Sequence, residues 1–273
     1  MTILQSIILG IVQGLTEFLP ISSSAHLVLV PHLLGWTFPQ DQAFVFDVLV
    51  QLGTLVAVIV YFWKDLIAIL AAFFKGIFSG KPFADPLARE GWYLILATIP
   101  AGIIGLFLKD SVEAVFGSPQ ITAALLLVTA LLLLVAEWAG KRNRTLDQLT
   151  WKDALWIGFA QAISIFPGVS RSGSTIAGAM TRNLERPAAA RFSFLMSIPI
   201  MLAAGLLAGK DMLNIPGLSS FLPVMIAGFL TAAVVGYLSI RWLLHYLNRR
   251  PLTGFAIYCV AVSIVSLVWM YVA

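Results

Sequence analysis

Gly10-Ile-Val-Gln13-Gly-Leu-Thr-Glu17-Phe-Leu-Pro20-Ile-Ser22-Ser23-Ser24-Ala-His26 is an apolar stretch that breaks at a proline and empties into hydroxyls. A second stretch has the same character: Gly158-Phe-Ala-Gln161-Ala-Ile-Ser-Ile-Phe-Pro167-Gly168-Val-Ser170-Arg171-Ser172-Gly173-Ser174-Thr175. Each carries a charge where the flanking sequence has almost none. In a chain that dissolves in lipid, polar groups and broken helices are costly, and they mark a functional site.

The surrounding sequence is that of a lipid-dissolved chain. Hydrophobic residues make up 60% and charged residues 11%, with a mean hydropathy of +0.94; a soluble domain carries about 25% charged residues. Stretches 91–108, 114–136, 192–209, 212–240 and 251–273 contain no Asp, Glu, Lys or Arg. Each is near or above the ~20 residues that cross a bilayer. The stretch 48–63 joins them once Ala43 to Asp47 are added, which gives six spans. Cys259 is alone, so neither a disulfide framework nor a thiol metal site is available. The first apolar run contains Gln13 and Glu17 and lacks a basic lead, so it is not expected to be a cleavable signal.

The net charge of +4 reflects topology rather than nucleic-acid binding. Fourteen of the seventeen Lys and Arg fall in four segments, 64–90, 141–153, 182–191 and 241–250. Lys109 and Lys210, each beside an Asp, are on the other side, and Arg171 lies inside the second broken stretch. The positive-inside rule puts the four basic segments in the cytoplasm. With six spans both termini are then outside, provided that the two broken stretches dip into the membrane and return. Non-helical backbone at that depth requires protein or water to satisfy it.

An internal repeat follows. Gln13 to Phe46 is 33 residues and Gln161 to Phe192 is 31, and Phe46-x-x-Leu49-x-Gln51 echoes Phe192-x-x-Leu195-x-Ser197. Each broken stretch precedes three spans. Three is odd, so the halves are inverted in the membrane, and such repeats place a polar site near the midplane. The predicted architecture is an all-α polytopic membrane protein: six transmembrane helices and two re-entrant helical hairpins in two inverted repeats. The first repeat is 1–140 with re-entrant segment 3–35; the second is 141–273 with re-entrant segment 154–181. Residues 65–80 read as an amphipathic interfacial helix, and Trp36, Trp92, Trp138, Trp151 and Trp269 as a belt at the membrane surface.

The second stretch has the makings of an anion site. Pro167-Gly168 turns the backbone, and the residues after it can open a helix whose N-terminus offers free N–H groups and a positive dipole end. Hydroxyls add donors, and Arg171 adds a planar fork suited to phosphate. The alternative is a Ser/Thr-rich helix contact with Arg171 snorkelling, but no acidic neighbour in sequence pairs with Arg171. In the first stretch Gln13 and Glu17 share a helix face, and Glu17, Ser22, Ser23, Ser24 and His26 supply a carboxylate, hydroxyls and an imidazole. These are the parts of an activated nucleophile, and equally of a polar knot that seals a hairpin. Inversion brings the two stretches face to face, which suggests phosphoryl transfer on a lipid-borne phosphate. His32 and His245 read as surface residues, Asp47 and Gln51 as neighbours of the site, and Glu137 as a boundary charge.

At these residues the chain resembles the undecaprenyl-diphosphate phosphatase family, bacterial proteins linked to bacitracin resistance. Two motifs carry the resemblance: Gln13-Gly-Leu-Thr-Glu17 with the Phe-Leu-Pro-Ile-Ser-Ser-Ser-Ala-His26 that follows, and Pro167 through Thr175. The resemblance implies hydrolysis of undecaprenyl diphosphate to the monophosphate and phosphate, recycling a lipid carrier for peptidoglycan synthesis. It implies Glu17 and His26 as the acid/base pair, Ser23 as nucleophile and Arg171 as a further catalytic residue. Gln13, Ser22, Ser170, Arg171, Ser172 and Thr175 would bind the diphosphate. A divalent cation, Mg2+ or Ca2+, would contact Glu17 and draw its other ligands from the diphosphate, because Gln13 is neutral where the family often has Glu. The expected setting is the bacterial cytoplasmic (inner) membrane, with the site open to the outer face, membrane lipids as neighbours, no nucleic acid, and a homodimer as the candidate assembly. The competing class is a lipid-phosphate transporter or flippase. It would need the anion site but no nucleophile.

Overall fold

The computed structural model describes the chain apart from residues 109–111, 113, 114, 116, 213–217 and 273; at 40, 41, 44, 207–212 and 218–220 only the backbone is described. Lys109 and the side chain of Lys210, which mark the less basic side, therefore lie outside the described residues. The described residues form eleven α-helices. Two short helices, α1 (Ile3–Thr16) and α2 (Ser23–Leu33), precede α3 (Gln40–Tyr61), α4 (Trp63–Phe78), α5 (Pro86–Phe107) and α6 (Pro119–Ala139). Two more short helices, α7 (Trp151–Ile163) and α8 (Arg171–Thr181), precede α9 (Arg186–Met212), α10 (Leu218–Leu247) and α11 (Thr253–Val272).

Among the described residues five helices are long and apolar enough to span a bilayer, and Val45–Tyr61 with Trp63–Phe78, bent by 77°, bring the number to six if the pair counts as one span. The chain is a multi-pass all-helical membrane protein. α4 is the expected amphipathic helix, shifted two residues earlier than predicted. Two spans begin before their charge-free runs: α5 at Pro86 rather than 91, and α9 at Arg186 rather than 192. The reason is local. Arg191 donates to Glu90 at 2.9 Å and to Asp65 at 2.8 Å, so Arg191 and Glu90 pair across the two helices and do not end them.

Both short-helix pairs break where predicted. Thr2 and Gln5 form a reciprocal capping box that starts α1, and Thr150 with Asp153 does the same for α7. α1 stops ahead of Pro20, and Ser22, at φ 70°, caps α2 by accepting from the Ala25 N–H. α7 stops ahead of Pro167-Gly168, and Ser170 caps α8 by accepting from the Gly173 N–H at 3.0 Å. Within each pair the two helices pack on each other.

Several of the main helix contacts recur when the halves are exchanged. α1 packs on α10 as α7 packs on α5, α3 packs on α10 as α9 packs on α5, and α6 meets α11 as α3 meets α9. Matching glycines serve the first of these contacts. A Cβ on Gly10 would lie 2.7 Å from the Gly228 carbonyl oxygen, and one on Gly158 would lie 2.6 Å from that of Ala97. Small residues at these points let helix backbones approach closely, the usual device where lipid removes the hydrophobic drive between helices.

The basic segments are tied together at one end. Asp153, whose side chain is fully buried, accepts from Arg144 at 2.8 Å and Arg182 at 2.7 Å. Burial pushes its carboxyl pKa up, but the hydrogen bonds from Arg144, Arg182 and Thr150 outweigh that and hold it well below the usual carboxylate range. Glu137 is more than the boundary charge expected of it: it pairs with Arg142 at 3.0 Å and with Arg186, and accepts from the Leu252 N–H at 2.7 Å. His32 and His245 are exposed, as expected.

Candidate active site

The tips of the two broken-helix pairs meet. Ser172 Oγ donates to the Leu19 carbonyl at 3.1 Å, and the Gly168 N–H donates to Ser24 Oγ at 3.4 Å. Thr129 on α6 braces the second tip from behind: its hydroxyl donates to the Gly168 carbonyl and accepts from the Ser170 N–H. Between the tips lies a cavity of about 240 Å³. α2 begins at Ser23 and α8 at Arg171, and the residues at both helix starts line this cavity. Two positive dipole ends and one guanidinium therefore converge on it, which suits an anion.

Glu17 is the hub. It is 5% exposed, and Arg171 Nη2 donates to its Oε1 at 2.6 Å. Ser23 Oγ donates to its Oε2 at 2.6 Å, and Gln13 Nε2 donates to the same oxygen at 2.9 Å and to Thr54 Oγ1 at 3.3 Å. Arg171 has no acidic neighbour in sequence, and its counter-charge comes from the opposite hairpin. Its other nitrogen donates to the Ser193 carbonyl at 3.4 Å.

The remaining predicted residues divide into those at the cavity and those behind it. Glu17, Ser22, Ser23, Ser170 and Arg171 line it. Gln13 stands behind Glu17 and holds it. Ser172 is spent on Leu19. Thr175 is fully buried, donates to the Arg171 carbonyl at 2.8 Å, and shares a 2.6 Å bond with Ser193 Oγ. His26 makes no hydrogen bond to Ser23 or Glu17. Its Nδ1 faces the Ser22 carbonyl at 2.7 Å and must carry the proton, so Nε2 accepts from the Tyr258 hydroxyl at 2.8 Å. Gln51 reaches the cavity as anticipated. Tyr258, Thr129, Thr54, Ser193 and Gln161 were not singled out from sequence. Only Gln161 carried a signal, as the repeat partner of Gln13.

Among the described residues no three His, Cys, Asp or Glu gather as a metal cluster. Glu17 is the one carboxylate on the cavity among the described residues, and both of its oxygens are engaged. Its companions are neutral oxygens of Ser and Gln. That set fits a hard cation only if the cation brings phosphate oxygens with it, as Mg2+ commonly does.

Fold and site together define a class: a polytopic helical membrane protein with a carboxylate–hydroxyl–guanidinium cluster held between two helix breaks. The chain belongs to the family of the bacitracin resistance protein BacA, whose model matches residues 6–265. It is 46% identical to a protein of Chlorobium phaeovibrioides over 98% of this chain and 96% of that one. It is 45% identical to one of Chlorobium phaeobacteroides (97% and 95% covered) and 42% identical to one of Myxococcus xanthus (98% and 89% covered). All three relatives are named undecaprenyl-diphosphatase. The transporter alternative gains no support from them.

Proposed function

We propose that this chain is an integral-membrane phosphatase that hydrolyses undecaprenyl diphosphate to undecaprenyl phosphate and inorganic phosphate. It would thereby return the lipid carrier to peptidoglycan synthesis and confer bacitracin resistance. Family membership and the names of the relatives support the reaction. The observation that carries the mechanism is the 2.6 Å bond from Ser23 Oγ to Glu17, whose other oxygen holds Arg171. A serine hydroxyl is a weak nucleophile until a base takes its proton, and Glu17 is the base in hydrogen-bond reach.

In this reading Ser23 Oγ attacks the terminal phosphorus and its proton passes to Glu17. The bond from that phosphorus to the bridging oxygen breaks, and the proton goes on to the departing monophosphate. Water then attacks the phosphoserine. Glu17 takes the water proton and returns it to Ser23 Oγ as phosphate leaves. Arg171 and the two helix N-termini hold the charge that gathers on the phosphoryl oxygens. His26, bonded to the Ser22 carbonyl and Tyr258, keeps the start of α2 in register; this is a narrower role than the acid/base one that the resemblance implies. A divalent cation, Mg2+ or Ca2+, would neutralise the diphosphate and touch Glu17, the phosphate oxygens supplying its other ligands.

We place the protein in the bacterial cytoplasmic membrane with both termini outside and the site open to the outer face. A homodimer is the assembly to test by cross-linking in native membranes. The decisive experiment is phosphate release by purified protein in detergent. Ser23→Ala should lose at least the 10²–10⁴-fold typical of base-assisted attack, roughly, and Ser24→Ala far less. A Ser23→Ala protein keeping more than about a tenth of the rate would move the attack to a water held by Glu17.

A further inference from the structure

Gln161 is a buried polar residue with no place in that mechanism. It is 2% exposed, yet neither its amide nitrogen nor its amide oxygen has a hydrogen-bond partner among the described residues. Its side chain lines the same cavity as Glu17, Ser23 and Arg171. Buried amides without partners are costly and rare, and each calls for an explanation.

The repeat explains how this one arose. Gln13 and Gln161 hold matching positions in the two broken stretches. Gln13 spends its amide on Glu17, four residues on, and on Thr54, eight residues beyond Phe46. The matching positions in the second half, four residues beyond Gln161 and eight beyond Phe192, are Ile165 and Ile200. Both isoleucines line the cavity. The second half thus keeps the amide, replaces both of its partners with apolar side chains, and leaves the amide unpartnered at the wall of the cavity where the anion goes.

We propose that Gln161 is a substrate-binding residue whose amide N–H donates to a phosphoryl oxygen of the lipid diphosphate. The tips supply donors for the phosphoryl group under attack. Gln161 is set back on α7, before the tip, and serves the phosphoryl group that stays on the lipid. Its role is to favour a diphosphate over a single phosphate. This rests on the phosphatase reading above.

The test uses the full-length protein in detergent, with kinetics on undecaprenyl diphosphate and melting curves with inorganic pyrophosphate or inorganic phosphate added. Gln161→Met should raise KM about 10- to 100-fold, the range for losing a hydrogen bond to a charged group, while kcat stays within about threefold. It should lose the stabilisation given by pyrophosphate and keep that given by phosphate. It should melt no lower than wild type, because it removes an unsatisfied amide; a structural glutamine would lower the melting point instead. Gln161→Glu is isosteric, keeps the fold if Met does not, and should raise KM further by repelling the anion. A KM within about twofold of wild type in either variant, or an intact pyrophosphate shift, overturns the assignment. Failure of the phosphatase reading looks different: the wild type would release no phosphate, while the pyrophosphate arm would still judge Gln161.

Discussion

Arg171 is both a ligand for phosphate and the counter-charge that makes a buried Glu17 tolerable. The pair is nearly dry, with side-chain exposures of 15% and 4%. Arg171→Ala should therefore do two things. Activity in a phosphate-release assay should fall about 10²–10³-fold, the cost of one preorganised charge contact. Stability should fall by about 3–5 kcal/mol, because removing one partner strands the other charge. Adding Glu17→Gln should restore the melting temperature in detergent but not the rate; a double variant that recovers both would remove Arg171 from the chemistry. Arg171→Lys should recover stability better than activity, since an ammonium lacks the planar fork. The sequence pointed to Glu17, Ser23, Ser170 and Arg171 because each is polar in an apolar setting. It could not say which residues of one motif face the cavity: Ser170 and Arg171 do, while Ser172 and Thr175 of the same motif turn to Leu19 and Ser193. Tyr258 and Thr129 gave no signal at all, each being a hydroxyl set among apolar neighbours on a long helix, with a role that exists only once the hairpins meet it.

The two broken-helix pairs owe their geometry to a few positions. Gly168 has φ 105°, and a Cβ there would lie 2.4 Å from the Thr122 carbonyl oxygen and 2.6 Å from Leu125 Cβ. Gly168→Ala should displace the second tip, taking Ser170 and Arg171 with it, and both melting temperature and phosphate release should drop. Gly35 is the control: its φ is 65° with open space around it, so Gly35→Ala should cost only about 1–2 kcal/mol of backbone strain and leave the rate alone. Equal losses in the two variants would mean that the close approach at Thr122 does not matter. Such an approach is invisible in sequence, whereas the Pro-Gly pair that creates it is plain. The start of α7 gives a pH test. Because the folded Asp153 carboxyl sits below its unfolded value, its stabilisation is complete above about pH 4 and is lost as pH falls through the folded value. Asp153→Asn should melt lower than wild type at neutral pH, and the gap should narrow on acidification below that point. A constant gap would show that the two arginines do not depend on the charge.

At the scale of the molecule, the strongest constraint is parity. Each broken-helix pair holds two short helices packed on each other, so each can enter and leave on one side. Three spans after each pair would then carry the chain across, and the second half would start on the side opposite to the first. Several contacts recur when the halves are exchanged, α1 on α10 as α7 on α5 and α3 on α10 as α9 on α5, while others, such as α8 on α9, do not. Ion pairs meanwhile bind 64–90, 141–153 and 182–191 to one another, and the Leu252 N–H brings the end of 241–250 to Glu137. Those bonds require one shared face for all four basic segments whatever the orientation, and the proposal that this face is cytoplasmic rests on the positive-inside rule alone. Single cysteines in a Cys259→Ser background test this in intact cells with an impermeant thiol reagent. Positions in 141–153 and 241–250 should label only after the membrane is opened, and positions next to Met1 and Ala273 should label from outside. If 141–153 and 241–250 labelled from opposite sides, the repeat model would fail, because no orientation of this fold separates them. If both labelled from outside, the fold would stand and only the assignment of the cytoplasmic face would reverse, turning the Arg171–Glu17 cavity toward the cytoplasm.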